Sequence, residues 1–204
     1  MTTAAVTKPK IAIIIGSTRA ARFADKPAAW LLDKARAHDD IEAEIVDLRD
    51  FDLPMFDEVA SNLFAETQDP RARAWQDKIA EFDGYVFVTP EYNHSITGAL
   101  KNALDQAYVE WGKKPMGAMG YGGVGAARAI EHLRAIAIEL QMVPVRNAVH
   151  LAAGSFMAVS PMGEGKDMDA VDAVLAPSAT AMFDDIAWWA HATMAGRTAL
   201  DRAA

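Results

Sequence analysis

An open parallel β-sheet with helices on both faces is the fold this sequence predicts, and three observations predict it. Short apolar runs rich in β-branched residues, at 11–15 and 85–88, lack polar alternation, as strands buried on both faces do. These runs alternate with stretches whose apolar residues recur at helical spacing, the rhythm of βαβ units with right-handed crossovers. The runs end in polar, glycine-containing or proline-broken loops, which begin at Gly16, Pro90 and Gly120. With 204 residues, 51% hydrophobic and 24% charged, the chain suits one domain over 10–204 behind a loose polar tail at 1–9.

The first strand, 11–15, stops at Gly16. Asp25 is expected to cap the next helix, with Pro27 in its first turn and Trp30 and Leu31 on its apolar stripe. A second strand, 41–48, places Ile41, Ala43, Ile45 and Leu48. The segment 49–69, rich in Asp, Phe and Pro, has no periodicity; its length points equally to a binding-site lid and to a hydrophobic plug under the sheet edge. A helix over 71–82 carries Trp75 and Ile79. The third strand, 85–89, halts at Pro90, which lacks a ladder donor. The helix behind it, with Leu100, Ala103, Leu104 and Ala107 on one stripe, is expected to end at Trp111 with Gly112 as its C′ residue. A fourth strand, 116–119, leads into a glycine loop and a helix bearing Ile130, Leu133, Ala137 and Leu140. A fifth strand at 144–151, an exposed turn at 163–167 and a final helix at 179–196 complete the chain. Five strands of this kind fit the flavodoxin-like order 2-1-3-4-5, a three-layer sandwich.

Such sheets bind ligands where loops leave the carboxyl ends of the strands. The first loop, 16–23, places Ser17, Arg19 and Arg22 before a helix N-terminus, a setting for phosphate; the competing reading is an ordinary turn with solvated arginines. The second loop offers the ring face of Tyr92 and the amide of Asn93 to a flat, amphipathic ligand. The third, Gly120-x-Gly122-x-x-Gly125, matches a dinucleotide pattern. It lies on the fourth strand rather than the first, however, and Glu139, about twenty residues on, falls inside a helix, so pyrophosphate binding is the weaker reading there.

The string from Thr89 through Pro90, Glu91, Tyr92, Asn93 and Ser95 to Asp105 resembles the Pro-Glu-Tyr-Asn loop of the NAD(P)H-dependent FMN reductase family, which includes quinone and azo reductases. Gly16-Ser17-Thr18-Arg19 resembles its Gly-Ser-x-Arg signature, and the likeness covers residues 10–150. The resemblance implies FMN as cofactor and NADPH or NADH as co-substrate. It puts the phosphate on Ser17, Arg19, Arg22 and Phe23, and the flavin ring along Pro90, Glu91, Tyr92, Asn93 and Ser95. Gly120, Tyr121, Gly122 and Gly123 then pack against the ring's pyrimidine edge, with bare backbone leaving room for a nicotinamide. It further implies a small-molecule electron acceptor (a quinone, free flavin or azo compound) reduced from the same flavin face, hence ping-pong kinetics. A homodimer or homotetramer follows from the same likeness, with Trp111 at the helix that meets a second subunit. FMN carries the chemistry, so no catalytic side chain is assigned. A flavodoxin-type carrier, a redox-sensing flavoprotein and a Rossmann dehydrogenase are the rival readings.

A formal charge of −8 gives no attraction to nucleic acid or anionic membranes, and the absence of cysteine excludes disulfides and thiol chemistry. His38, His94, His132, His150 and His191 have no metal-ligand spacing, so no metal is expected. No apolar run is long enough to span a membrane, and the first is too short for a signal sequence, which makes a cytoplasmic protein the expectation.

Overall fold

The computed structural model describes residues 7–201; the start of the expected tail, 1–6, lies outside them. Strands β1 (Lys10–Ile15), β2 (Glu42–Asp47), β3 (Gly84–Pro90), β4 (Pro115–Gly122), β5 (Val143–Pro144) and β6 (Val149–Ala152) pair in parallel throughout. The order is β2-β1-β3-β4-β5, with β6 also on β4. The helices are α1 (Asp25–Arg36), α2 (Pro70–Ala80), α3 (Gly98–Asp105), α4 (Ala127–Glu139), α5 (Ala153–Val159) and α6 (Asp172–Asp201). This is the flavodoxin-like three-layer arrangement.

The period of two along β1 sorts the core. Ile11, Ile13 and Ile15 face α1 and α6, meeting Trp30, Leu31, Met182 and Phe183. Ala12 and Ile14 face α2, α3 and α4, meeting Trp75, Ile79, Leu100 and Ile130. Both faces are covered, which is why the strands read as unbroken apolar runs.

Several boundaries differ from the sequence reading. The expected fifth strand is split: four residues lie between Pro144 and Val149 where only two lie between their β4 partners, Met116 and Met119. The surplus bows out, and Arg134 donates to the freed carbonyls of Val145 and Arg146 at 3.4 and 2.7 Å. α6 starts seven residues earlier than expected, at Asp172, and carries Pro177 inside its second turn. α5 was not expected at all. Asp25 lies inside α1, where Ala24 is the cap residue, and its carboxylate binds Arg22 instead.

α3 ends at Asp105, so Gly112 is not its C′ residue; Lys113 holds the left-handed position nearby, at φ 59°. Beyond the helix, the Trp111 indole N–H turns back to the carbonyls of Leu104 in α3 and of Ala107 at 3.3 and 3.1 Å. Trp111 is fully buried among Trp75, Tyr85 and Phe87, which corrects its expected place at a subunit interface. Trp188 and Trp189 are exposed on α6. Of the two roles expected for the segment 49–69, the structure shows the plug, and none of its residues lines the cavity described below. Phe51 and Leu53 plug the core beside Trp75, while Met55, Val59, Leu63 and Phe64 face outward.

Candidate active site

The loops after β1, β3 and β4 line a cavity of about 450 Å³, and the chain following α5 closes its remaining side. The first loop is pinned at its start: Gly16 donates its N–H to Val88 O at 2.9 Å. A Cβ there would fall 2.9 Å from Leu100 Cδ2 and 3.1 Å from Val88 O, so only glycine lets the loop approach α3 this closely. From Ser17 to Ala21, no backbone N–H meets an acceptor among the described residues. Such a run of free donors forms an anion-binding concavity.

The two arginines of this loop are set differently. Arg22 turns inward, with its side chain 3% exposed, and donates to Asp25, to Asp47 at 2.6 Å and to the Ser17 carbonyl at 3.0 Å. Asp47 is pushed up by burial, but the Arg22 and Arg49 hydrogen bonds outweigh this and hold its carboxyl below the usual range. Arg19 stays exposed, and its Nη1 donates to Tyr92 Oη at 3.2 Å. Arg49 braces the turn from outside through the Thr18 and Arg19 carbonyls.

In the second loop, Tyr92 and Ser95 exchange backbone hydrogen bonds at 2.8 and 2.9 Å. Asn93 and His94 between them have φ of 51° and 69°, which makes a type I′ turn. Thr97 ties this loop to the first, donating to the Gly16 carbonyl while accepting from Leu100 N at 3.0 Å as the N-cap of α3. Glu91 reaches across to α4, where it accepts from Arg128 N at 3.2 Å and pairs with the Arg128 guanidinium. Burial raises the Glu91 pKa, but Arg128 and the amides of the α4 first turn lower it further, leaving a net carboxylate.

The third loop brings an aromatic corner. Phe23 meets Tyr121 edge-on at 5.4 Å and Phe156 at 5.7 Å, with Tyr121 and Phe156 near parallel at 6.5 Å. Burial pushes the Tyr121 phenol far up, so it keeps its proton. Gly122 has φ 131°, and a Cβ at Gly122 or Gly123 would meet nothing within 4 Å, so this stretch of backbone borders open cavity. Gly120 and Gly125 answer a different need: a Cβ on Gly120 would lie 2.3 Å from Gly125 O. The three-glycine pattern on β4 therefore permits a tight strand-to-helix crossing, with Gly120 inside it.

Residues 9–155 match the family model for NADPH-dependent FMN reductase. The chain belongs to this family. Among its relatives, a 2-hydroxy-1,4-benzoquinone reductase from a Burkholderia species is 38% identical, with 66% of this chain and 73% of that protein covered. An NAD(P)H-dependent FMN reductase from Schizosaccharomyces pombe is 37% identical over 70% of this chain and 74% of its own. The solved structure of FerB, a flavoenzyme NAD(P)H:(acceptor) oxidoreductase from Paracoccus denitrificans, superposes with a TM-score of 0.68 at 25% identity. It covers 87% of this chain and 97% of that one. The protein is thus an oxidoreductase that uses FMN and NAD(P)H, and the Rossmann reading of Gly120–Gly125 falls away.

In this reductase, ten of the residues singled out from sequence line the cavity: Ser17, Arg19, Arg22, Phe23, Pro90, Glu91, Tyr92, Tyr121, Gly122 and Gly123. Asn93, Ser95 and Gly120 do not. Asn93 is exposed in the type I′ turn, Ser95 Oγ lies 2.6 Å from His132 Nδ1, and Gly120 is sealed in β4. Missed from sequence were Arg128, Phe156, Pro161 and Met162 on the wall. Arg128, at the start of a helix beside a glycine loop, had a readable sign; residues 153–162 had none. The set fits FMN: free amides with Ser17 and Arg19 suit its phosphate, and an aromatic corner with bare glycine backbone suits a flat ring.

Proposed function

We propose that the reductase holds FMN in this cavity and uses NAD(P)H to reduce a flat, conjugated acceptor of the quinone type. The run of free N–H groups from Ser17 to Ala21 carries the reading. It lies at the end of β1, next to the switch point where the sheet order reverses. When bound, FMN supplies the hydride relay from nicotinamide to acceptor. The chain's own residues bind, orient and exclude. Ser17 and Arg19 hold the phosphate, with Tyr92 fixing the Arg19 guanidinium. Arg22 serves as the internal tie that fastens the loop to β2 and α1 through Asp47 and Asp25.

Gly123 and Val124 have N–H groups without acceptors among the described residues, suited to the polar edge of the ring. The protonated Tyr121 keeps its hydroxyl as a donor near Ser17. One opening above Gly122 and Gly123 serves nicotinamide and acceptor in turn, so the kinetics are ping-pong. The relatives named for a benzoquinone and for azo compounds support this class of acceptor. Self-association into a homodimer or homotetramer is supported by the exposed apolar Met55, Val59, Leu63 and Phe64 of the 49–69 segment, with Leu63 beside the exposed Val109. Initial rates with NADPH and a benzoquinone test the mechanism: parallel double-reciprocal lines are expected, and intersecting lines that prove a ternary complex contradict it. Sedimentation at micromolar protein tests the assembly, where a monomer would remove that part of the reading.

A further inference from the structure

Three arginines line the cavity, and they differ in what remains free. Arg22 is buried against two carboxylates, and Arg19 lies with the first loop beside Tyr92. Arg128 stands across the second loop from both, at the start of α4. Its side chain is 51% exposed, while its partner Glu91 is 9% exposed beneath it. Glu91 takes the Nε and Nη2 edge of the guanidinium, and Nη1 makes no hydrogen bond among the described residues. The result is a guanidinium fixed in place with a free donor edge at the cavity mouth.

We propose that Arg128 reads the 2′-phosphate that distinguishes NADPH from NADH, which makes it a coenzyme-specificity residue of the reaction proposed above, on which the inference rests. A nicotinamide that reaches Gly122 and Gly123 leaves its adenosine half toward the mouth, where Arg128 is the half-exposed cation on the wall. A ribose hydroxyl offers a guanidinium little more than water does. A phosphate dianion accepts a charge-assisted, forked pair of hydrogen bonds, and Arg is the side chain shaped for it. The chain as a whole carries a formal charge of −8, so it repels a further phosphate unless a local cation receives it. Glu91 orients Arg128 and spares it the entropy of being ordered on binding.

The test measures binding of 2′,5′-ADP and of 5′-AMP to the FMN-loaded protein by calorimetry, alongside kcat/KM for NADPH and NADH. The wild type should bind 2′,5′-ADP about 10- to 100-fold more tightly than 5′-AMP, the range of one or two charge-assisted hydrogen bonds. Arg128→Gln should abolish that preference and lower the NADPH/NADH ratio of kcat/KM by a similar factor, while Arg128→Lys should restore part of both. Equal affinity for the two nucleotides in the wild type, or a ratio that Arg128→Gln leaves intact, overturns the assignment. An equal loss for both coenzymes, as from a contact to the shared pyrophosphate, overturns it too. Nucleotide binding needs no turnover, so a selective protein that oxidises neither coenzyme would sink the proposed reaction and leave the role of Arg128 standing.

Discussion

Arg19 and Arg22 sit on one loop and meet opposite surroundings, and single substitutions should separate them. Arg19 is exposed and touches only Tyr92, so Arg19→Ala should leave the apo fold intact and weaken FMN retention by about 10- to 100-fold, the scale of a charge-assisted phosphate contact. Equilibrium dialysis of FMN checks this; unchanged affinity would remove Arg19 from the phosphate site. Arg22→Ala leaves the largely buried carboxylate of Asp47 without its ion pair and frees the exposed Asp25, so it should cost about 2–4 kcal/mol of stability with or without FMN. Urea unfolding of the apoprotein measures it, and a loss seen only in the FMN-loaded form would mean that Arg22 binds the cofactor directly. Sequence could place both arginines on the loop. It could not tell them apart, because the difference lies in Asp47, which comes from another strand.

At the level of elements, the crossing from β4 to α4 carries the tightest backbone. Gly120→Ala would push a methyl group into Gly125 O and Ala126 Cβ, at 2.3 and 2.7 Å. A cost of about 2–4 kcal/mol is expected, since backbone cannot step aside as a side-chain end would. Thermal unfolding tests this, and a shift of less than about 2 °C would show that the crossing relaxes freely. The strands and their order were legible in the sequence because burial on both faces leaves unbroken runs such as 11–15. Ends were less legible. α3 stops at Asp105, where the Trp111 indole N–H, six residues on, takes its Leu104 carbonyl, a contact with no sign in the helix's own pattern. Pro177 hides the true start of α6, and residues 153–162 lack any period, so Phe156 and Met162 entered the site unannounced. Asn93 lies in the expected loop but in a left-handed turn position off the cavity wall, a backbone geometry its sequence context does not show.

Across the whole molecule, chemistry is confined to the carboxyl end of the sheet, while the opposite end carries a buried charge. Lys114, immediately before β4, lies 7% exposed with Nζ donating to Tyr85 Oη at 3.0 Å and the Ala80 carbonyl at 3.4 Å. Burial first, then the nearby Arg197, pull its pKa down to about 8, against the opposing pull of Asp83 and Glu110. The unfolded chain therefore binds a proton that the folded one lacks between pH 8 and about 10. Stability should rise with pH across that window, and below it the buried ammonium costs on the order of 3 kcal/mol. Lys114→Met should flatten the profile and stabilise the protein at pH 7, as seen in urea unfolding from pH 7 to 10. A wild-type profile that already falls over pH 8 to 9.5 would contradict this.

On the reading proposed above, the cavity at the ends of β1, β3 and β4 holds FMN that NAD(P)H reduces. A visible absorption spectrum of the purified, FMN-reconstituted and desalted protein, taken anaerobically before and after NADPH, tests it most directly. Flavin bands should survive desalting, bleach on addition of NADPH and return when a benzoquinone is added. A protein that retains no flavin, or whose flavin bands persist in excess NADPH and NADH alike, would contradict it.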